Sequence, residues 1–391
     1  MKELRTYASV QLIGEYGVYA NGRMVQLMLP LSARMRLIPS DSAGDKDSAL
    51  NDPPAIVRAE HSGEVYSDAQ QKRLEDRLAR RVGMIARWLR GRNLGPRAGG
   101  VEFCTDFPLG LGIEDNLSVL THWCLGSECS LQEAAERVVE CEWEDRPTCS
   151  FVYLLPAIKL AGAGGAAPSN VFLLERDMPT FESWAEFGEM KNCPAKIRPA
   201  WRWVEHAVSL RLAGIQSGGA TGEGVVFDIA LFARPKAALP DILHPSVKEA
   251  VTSLPLPRSR RFLQNLGNLT DQAFVILSEL ADLLRQPTFE KDAVLNLWWE
   301  LGRILTCYHF TMSAIQRTDP LSDKFVLEVT QRTDVVGAKT TASGLGGTVL
   351  VLYFSERGQE QNALKEMQSL AERYGYTRLS GAVLRSFCAI L

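Results

Sequence analysis

The chain of 391 residues lacks an excess of either charge. Its 43 Lys and Arg stand against 46 Asp and Glu, a formal net charge of −3. That balance gives no electrostatic reason to expect nucleic acid or an anionic membrane surface as a partner. Long apolar runs are missing too: no stretch of about 18 residues is free of charge, so no transmembrane helix is expected. The opening Met1-Lys-Glu-Leu-Arg-Thr-Tyr7 lacks the apolar core of a signal peptide. Cysteine is scarce. Eight residues in a chain of this length do not make a disulfide scaffold. Cys104, Cys124, Cys307 and Cys388 lie in apolar-periodic segments and are expected as buried free thiols. The five histidines have no helical pairing that makes a metal face, and His122 with Cys124 and Cys129 has no matching second pair for zinc. There is no Walker lysine and no Gly-x-Ser-x-Gly elbow. These absences predict an intracellular, reducing, cytoplasmic setting, with the nucleus left open.

What is present is ordinary globular material, 46% hydrophobic and 23% charged, enough for roughly two to three cores. Residues 8–13 and 24–38 read as strands joined by a tight turn, and Val57 to Tyr66 as another. From Asp68 to Arg90 the apolar residues Leu74, Leu78, Val82, Ile85 and Leu89 step by three and four, which marks an amphipathic helix. Its Arg and Lys alternate with Glu and Asp, so its polar face reads as solvated rather than as a basic binding surface. Val101 to Phe107 is a strand, with a helix from about Asn116. Phe151 to Leu160 and Val171 to Glu175 read as a hairpin. Trp201 to Leu212 reads as helix and Val225 to Phe232 as strand. Helices are expected at about 246–254, 270–285 and 290–317, and antiparallel strands between about 325 and 354, beginning with Phe325 to Gln331. A last helix is expected at about 359–374. Proline-rich sequence near residue 240 suggests a boundary, giving expected domains of 1–240, with an insert at about 150–200, and 241–391.

The most informative stretch is Gly337-Ala-Lys-Thr-Thr-Ala-Ser-Gly-Leu-Gly-Gly-Thr348, a glycine-rich turn running into the apolar strand Val349 to Phe354. Three further places belong with it: Val10-Gln-Leu-Ile-Gly-Glu-Tyr-Gly-Val-Tyr-Ala-Asn-Gly22, Asp106-Phe-Pro-Leu-Gly-Leu-Gly-Ile-Glu-Asp-Asn-Leu117, and Ala213-Gly-Ile-Gln-Ser-Gly-Gly-Ala-Thr221. In this order they resemble the signatures of the GHMP small-molecule kinases, the family of galactokinase and mevalonate kinase, and galactokinase-like members most. The resemblance implies an α+β, two-lobed fold. The N-terminal lobe would carry a mixed sheet and a phosphate-loop helix, and the C-terminal lobe would be ferredoxin-like. Gly110, Gly112, Glu114 and Asp115 would form the phosphate loop, and Ser343, Gly344, Gly346 and Gly347 the turn above it.

The glycines that shape the backbone match the family pattern, whereas the side chains that act depart from it. In the first segment Ser9 stands where the signature has Arg, Tyr16 where it has His, and Val18 where it has Asp; Glu15 matches. In the phosphate loop Glu114, Asp115 and Asn116 replace three serines. A carboxylate about 5 Å from a phosphate charge repels it by roughly 3 kcal/mol at an effective dielectric near 20, and acidic groups suit a helix N-terminus as caps themselves. In the third segment Thr221 falls where galactokinase has its catalytic Asp, and Asp228 is the nearest alternative base. The expectation is a regulatory pseudokinase that has lost sugar kinase activity and binds a protein partner or small ligand, without cofactor. The alternative is an active ATP-dependent kinase for a sugar or isoprenoid alcohol. In it Glu114 and Asp115 would hold Mg2+ beside ATP, and Asp228 or Glu15 would assist the acceptor. Trp201, Trp203, Trp298 and Trp299 read as core or interface aromatics.

Overall fold

The structure is a computed structural model. It describes residues 4–17, 23–38, 55–59, 67–94, 100–108, 133–134, 137, 140–141, 171–175, 204–208, 215–216, 224–234, 256–286, 290–315, 317–341, 347–356 and 358–379. The chain divides into two compact units. One comprises Met1–Ser9, Leu31–Ala167 and Phe187–Arg198; the other comprises Val10–Pro30, Pro168–Glu186 and Pro199–Leu391. Strands β1 (Leu4–Ile13) and β2 (Arg23–Ile38) pair with each other, and each contributes residues to both units.

In the first unit β3 (Ala55–Ala59), α1 (Asp68–Gly91) and β4 (Gly100–Thr105) form a parallel βαβ unit. The second half of β2 pairs antiparallel with β4, Ala33 opposite Thr105 through Ile38 opposite Gly100. The periodicity read for α1 is borne out, since Val82, Ile85 and Leu89 are buried. Ser67 and Gln70 form a capping box at its start, satisfying amides that have no partner inside the helix. On β4 the buried carboxylate of Glu102 pairs with Arg36 from β2 and Arg58 from β3, so one anion bridges the two neighbouring strands.

In the second unit the first half of β2 pairs with β5 (Val171–Glu175), which in turn pairs with β6 (Val204–Val208). Residues expected as helix from Trp201 to Leu212 thus contain a strand. Pairing with β5 supplies backbone hydrogen bonds that local pattern cannot anticipate. A second sheet runs in the order β11-β8-β10-β9, with the two-residue β7 (Ile215–Gln216) beside β8. Its strands are β8 (Gly224–Ala233), β9 (Val335–Thr340), β10 (Thr348–Glu356) and β11 (Thr377–Arg378). Helices α2 (Leu256–Arg285), α3 (Lys291–Ala314) and α4 (Pro320–Val329) lie in sequence between β8 and β9, and α5 (Glu360–Glu372) lies between β10 and β11. With the three helices counted as one layer, the succession is β-α-β-β-α-β, the ferredoxin-like plan.

Phe325 to Gln331 was expected as strand, but α4 runs through it to Val329. Asp319 caps that helix by accepting from Leu321 and Ser322 amides, Pro320 occupies the first turn, and Ser322, Phe325, Val326 and Val329 are buried at helical spacing. Cys307, expected to be buried, is exposed on α3, and Cys104 is half-buried. Helix α2 begins well before residue 270 because its apolar face extends back through Leu266 and Leu263. The core of this sheet joins Phe232, Phe325, Val351, Met367 and Tyr376, with Phe325 stacked on Tyr376 at 5.0 Å between ring centres.

Candidate functional site

Glu15 lies just after β1, in Gly14-Glu15-Tyr16-Gly17. Gly14 has φ of +111°, and a side chain there would run into the Met24 backbone, so only glycine lets the chain turn so tightly. The turn delivers the Glu15 carboxylate, 3% exposed, to the ammonium of Lys339, 1% exposed, on β9. Lys339 also donates to the Gln11 carbonyl at 3.3 Å. Beside the pair, the Tyr308 hydroxyl of α3 accepts from the amides of Tyr16 (3.1 Å) and Gly17 (3.2 Å). Burial pushes the Glu15 carboxyl above and the Lys339 ammonium below their ordinary values, and each partner pulls the other back toward charge. Burial, with the Glu15 charge second, drives the Tyr308 hydroxyl well above 10, so it stays a phenol. Charges removed from water this completely persist only with a partner.

Asp228 occupies β8 directly opposite Tyr353 of β10. Its carboxylate accepts from the Tyr353 hydroxyl at 3.1 Å and from the Ile229 amide at 2.7 Å. Glu15 and Asp228 are thus both engaged, by different partners. Of the glycine-rich turn, Gly347 is described. It has φ of +101°, and its carbonyl accepts from the Arg234 amide at 2.8 Å. Thr341 and Thr348 close the turn through an amide-to-carbonyl bond of 3.0 Å. Ser343, Gly344 and Gly346 lie outside the described residues, as do Gly110, Gly112, Glu114, Asp115, Val18 and Thr221.

Lys339 and Tyr308 were not singled out in the sequence. The signal for Lys339 was there: a lone cation in the small and apolar run Val335-Val-Gly-Ala-Lys339, which a buried strand tolerates only when paired. Of the described candidates for the site, Glu15, Asp228 and Gly347, none lines a groove of 1040 Å3 bordered by Phe262, Trp299, Arg303, Cys307 and Phe310. Among the described residues no group of three or more His, Cys, Asp or Glu could hold a metal ion, and no helix is long and apolar enough to cross a membrane.

No protein-family model matches the chain, and no curated sequence does. Solved structures do match over nearly its whole length. Mevalonate kinase of L. major, solved in complex with R-mevalonate, covers 97% of this chain and 95% of its own at 13% identity and a TM-score of 0.55. Lactococcus lactis galactokinase, complexed with galactose, covers 96% and 92% at 14% identity and a TM-score of 0.54. Streptococcus pneumoniae phosphomevalonate kinase covers 97% and 98% at 12% identity and a TM-score of 0.52. The glycine pattern of the sequence, the β-α-β-β-α-β succession and these likenesses agree, and the chain has the fold of the GHMP small-molecule kinases.

Proposed function

We propose that the chain has lost sugar kinase activity and works by binding a protein partner or a small ligand on a GHMP scaffold. The observation that carries this reading is the Glu15–Lys339 pair. Glu15 is the one polar side chain that matches among the four substrate-facing positions of the first signature, and its carboxylate is turned to a buried lysine. A group held this way contributes to packing and charge balance, and reaching a substrate would leave Lys339 charged and alone. The other candidate base, Asp228, already accepts two hydrogen bonds. Ser9, where the signature has a cation, is fully buried and neutral, so it brings no charge to a phosphate or a sugar. Loss of matched donors and acceptors removes roughly 1 kcal/mol or more of recognition apiece.

The test is titration calorimetry of the full chain with ATP, with and without Mg2+. It is followed by phosphoryl-transfer assays on galactose, mevalonate and phosphomevalonate, the acceptors named with the similar structures or their kinases. The expected outcome is no saturable binding at millimolar ATP and no transfer. Mg2+-dependent transfer that disappears in Asp228→Asn or Glu15→Gln, with the fold intact by circular dichroism, would overturn the proposal in favour of an active kinase.

A further inference from the structure

We propose that His309 is an acid-sensitive latch on the end of β9: protonation of its imidazole releases the Thr340 amide and frees the strand where it enters the glycine-rich connection. Among the described strands, β9 is the edge of its sheet, so one side bonds β10 and the other would present unpaired amides. Helix α3 covers that side with side chains. The Ala338 amide donates to Thr306 Oγ1 at 3.2 Å, and the Thr340 amide donates to His309 Nδ1 at 3.3 Å. Thr306 and His309 are three residues apart and share one helix face. Thr306 cannot titrate in the physiological range. His309 can.

Accepting from Thr340 fixes the tautomer. Nδ1 is bare and the ring proton sits on Nε2, which lies 3.1 Å from Asp323 Oδ1. Asp323 is held in turn by the hydroxyls of Ser313 and Thr318, each at 2.6 Å. The imidazole is fully buried. A second ring proton, at Nδ1, would face the Thr340 amide donor to donor. The Thr340 hydroxyl, 3.3 Å from Nδ1, would remain as an acceptor, so the side chain keeps its contact while the strand amide loses its own. Among the described residues the charges acting on the ring are Asp323 of α4 and Asp319 at its cap, which favour imidazolium, and Lys339 from β9, which opposes it. Burial is the largest influence and holds the ring below the ordinary histidine value of 6.5. A base with a depressed pKa in the closed state is protonated more readily once opened. The latch is therefore intact above about 6.5 and weakens as pH falls from there toward the depressed value.

Hydrogen–deuterium exchange of the full chain, corrected for intrinsic rates, reads the latch directly in peptides spanning 335–341. Between about pH 7.5 and about pH 5, protection there is expected to fall at least about tenfold in the wild type, while β8 peptides hold theirs. His309→Gln offers Thr340 a carbonyl that does not titrate, and is expected to keep protection nearly constant. An equal fall in wild type and His309→Gln, no fall in the wild type, or a parallel fall in β8 would each overturn the proposal. If His309→Gln does not fold, Asp323→Asn serves instead. It removes the anion that favours imidazolium and depresses the closed-state value further, so the onset near 6.5 should stay while the loss of protection on acidification runs deeper than in the wild type; a loss no deeper than the wild type's refutes the latch.

Discussion

Gly302 of α3 and Gly337 of β9 meet backbone against backbone. A β-carbon on Gly302 would overlap the Val336 carbonyl, and one on Gly337 would overlap the carbonyl of Gly302. This contact is what lets α3 lie close enough to the sheet edge for Thr306 and His309 to reach the β9 amides. Backbone atoms cannot step aside as a flexible side chain can. Gly302→Ala or Gly337→Ala is therefore expected to cost about 3 kcal/mol or more, at the upper end of overpacking changes. Gly91, at the end of α1, would meet nothing within 4 Å. Gly91→Ala should be neutral or gain up to about 1 kcal/mol from helix propensity. Urea unfolding of the three variants measures the contrast. Equal effects at 91 and 302 would mean the close approach is not what holds α3 in place.

The Glu15–Lys339 pair is fully out of water, so its two halves should be far more costly to remove singly than together. Glu15→Gln or Lys339→Met alone is expected to lose about 3–5 kcal/mol, because each leaves an uncompensated buried charge. Replacing both with apolar residues, Glu15→Leu with Lys339→Met, should recover a large part of that loss. A double-mutant cycle by chemical denaturation gives the coupling directly. Additive losses would show that the two groups stabilise the fold independently. Tyr308→Phe in the same background removes the acceptor for the Tyr16 and Gly17 amides and should cost a further 1–3 kcal/mol or so.

Acid should weaken the α4 cap in a definite window. The hydroxyl of Ser322 and the guanidinium of Arg234 hold the Asp319 carboxyl below its ordinary 3.8, against the pull of burial. A carboxylate with a depressed folded value contributes stability that is fully present above 3.8 and is lost as pH falls through the lower, folded value. The Asp319→Asn variant keeps a cap acceptor but no charge. Its stability should therefore fall less steeply than that of the wild type below about pH 4. Paired acid unfolding curves followed by far-UV circular dichroism decide this, and parallel curves would remove Asp319 from the account.

The hairpin from Val335 to Glu356 was legible because its glycines mark where the chain must turn and the apolar run beside them marks a buried strand. The α1 stripe was legible for the same reason: local spacing alone decides which face is buried. Helix α4 was misread because Phe325-Val-Leu-Glu-Val329 looks like a strand by composition. The Asp319-Pro320 start signal, which does announce a helix, outweighed it in the fold. Strand β6 was misread because its register is set by β5, thirty residues away in sequence. Glu15 could be picked as a chemically special residue from its motif, but its partner could not. Residue 339 becomes its neighbour only through tertiary structure, and periodicity carries no information about contacts between distant segments.

That separation has a consequence for how the molecule is made. Glu15 and Lys339 lie 324 positions apart in the sequence. At roughly 5–20 residues per second of synthesis, a Glu15 carboxylate that has already emerged waits on the order of 16–65 s for the ammonium that neutralises it. Until then the segment after β1 has no dry place to go, because burying the carboxylate unpaired would cost more than leaving it in water. The turn that carries Glu15 is thus fixed only after Lys339 has been made.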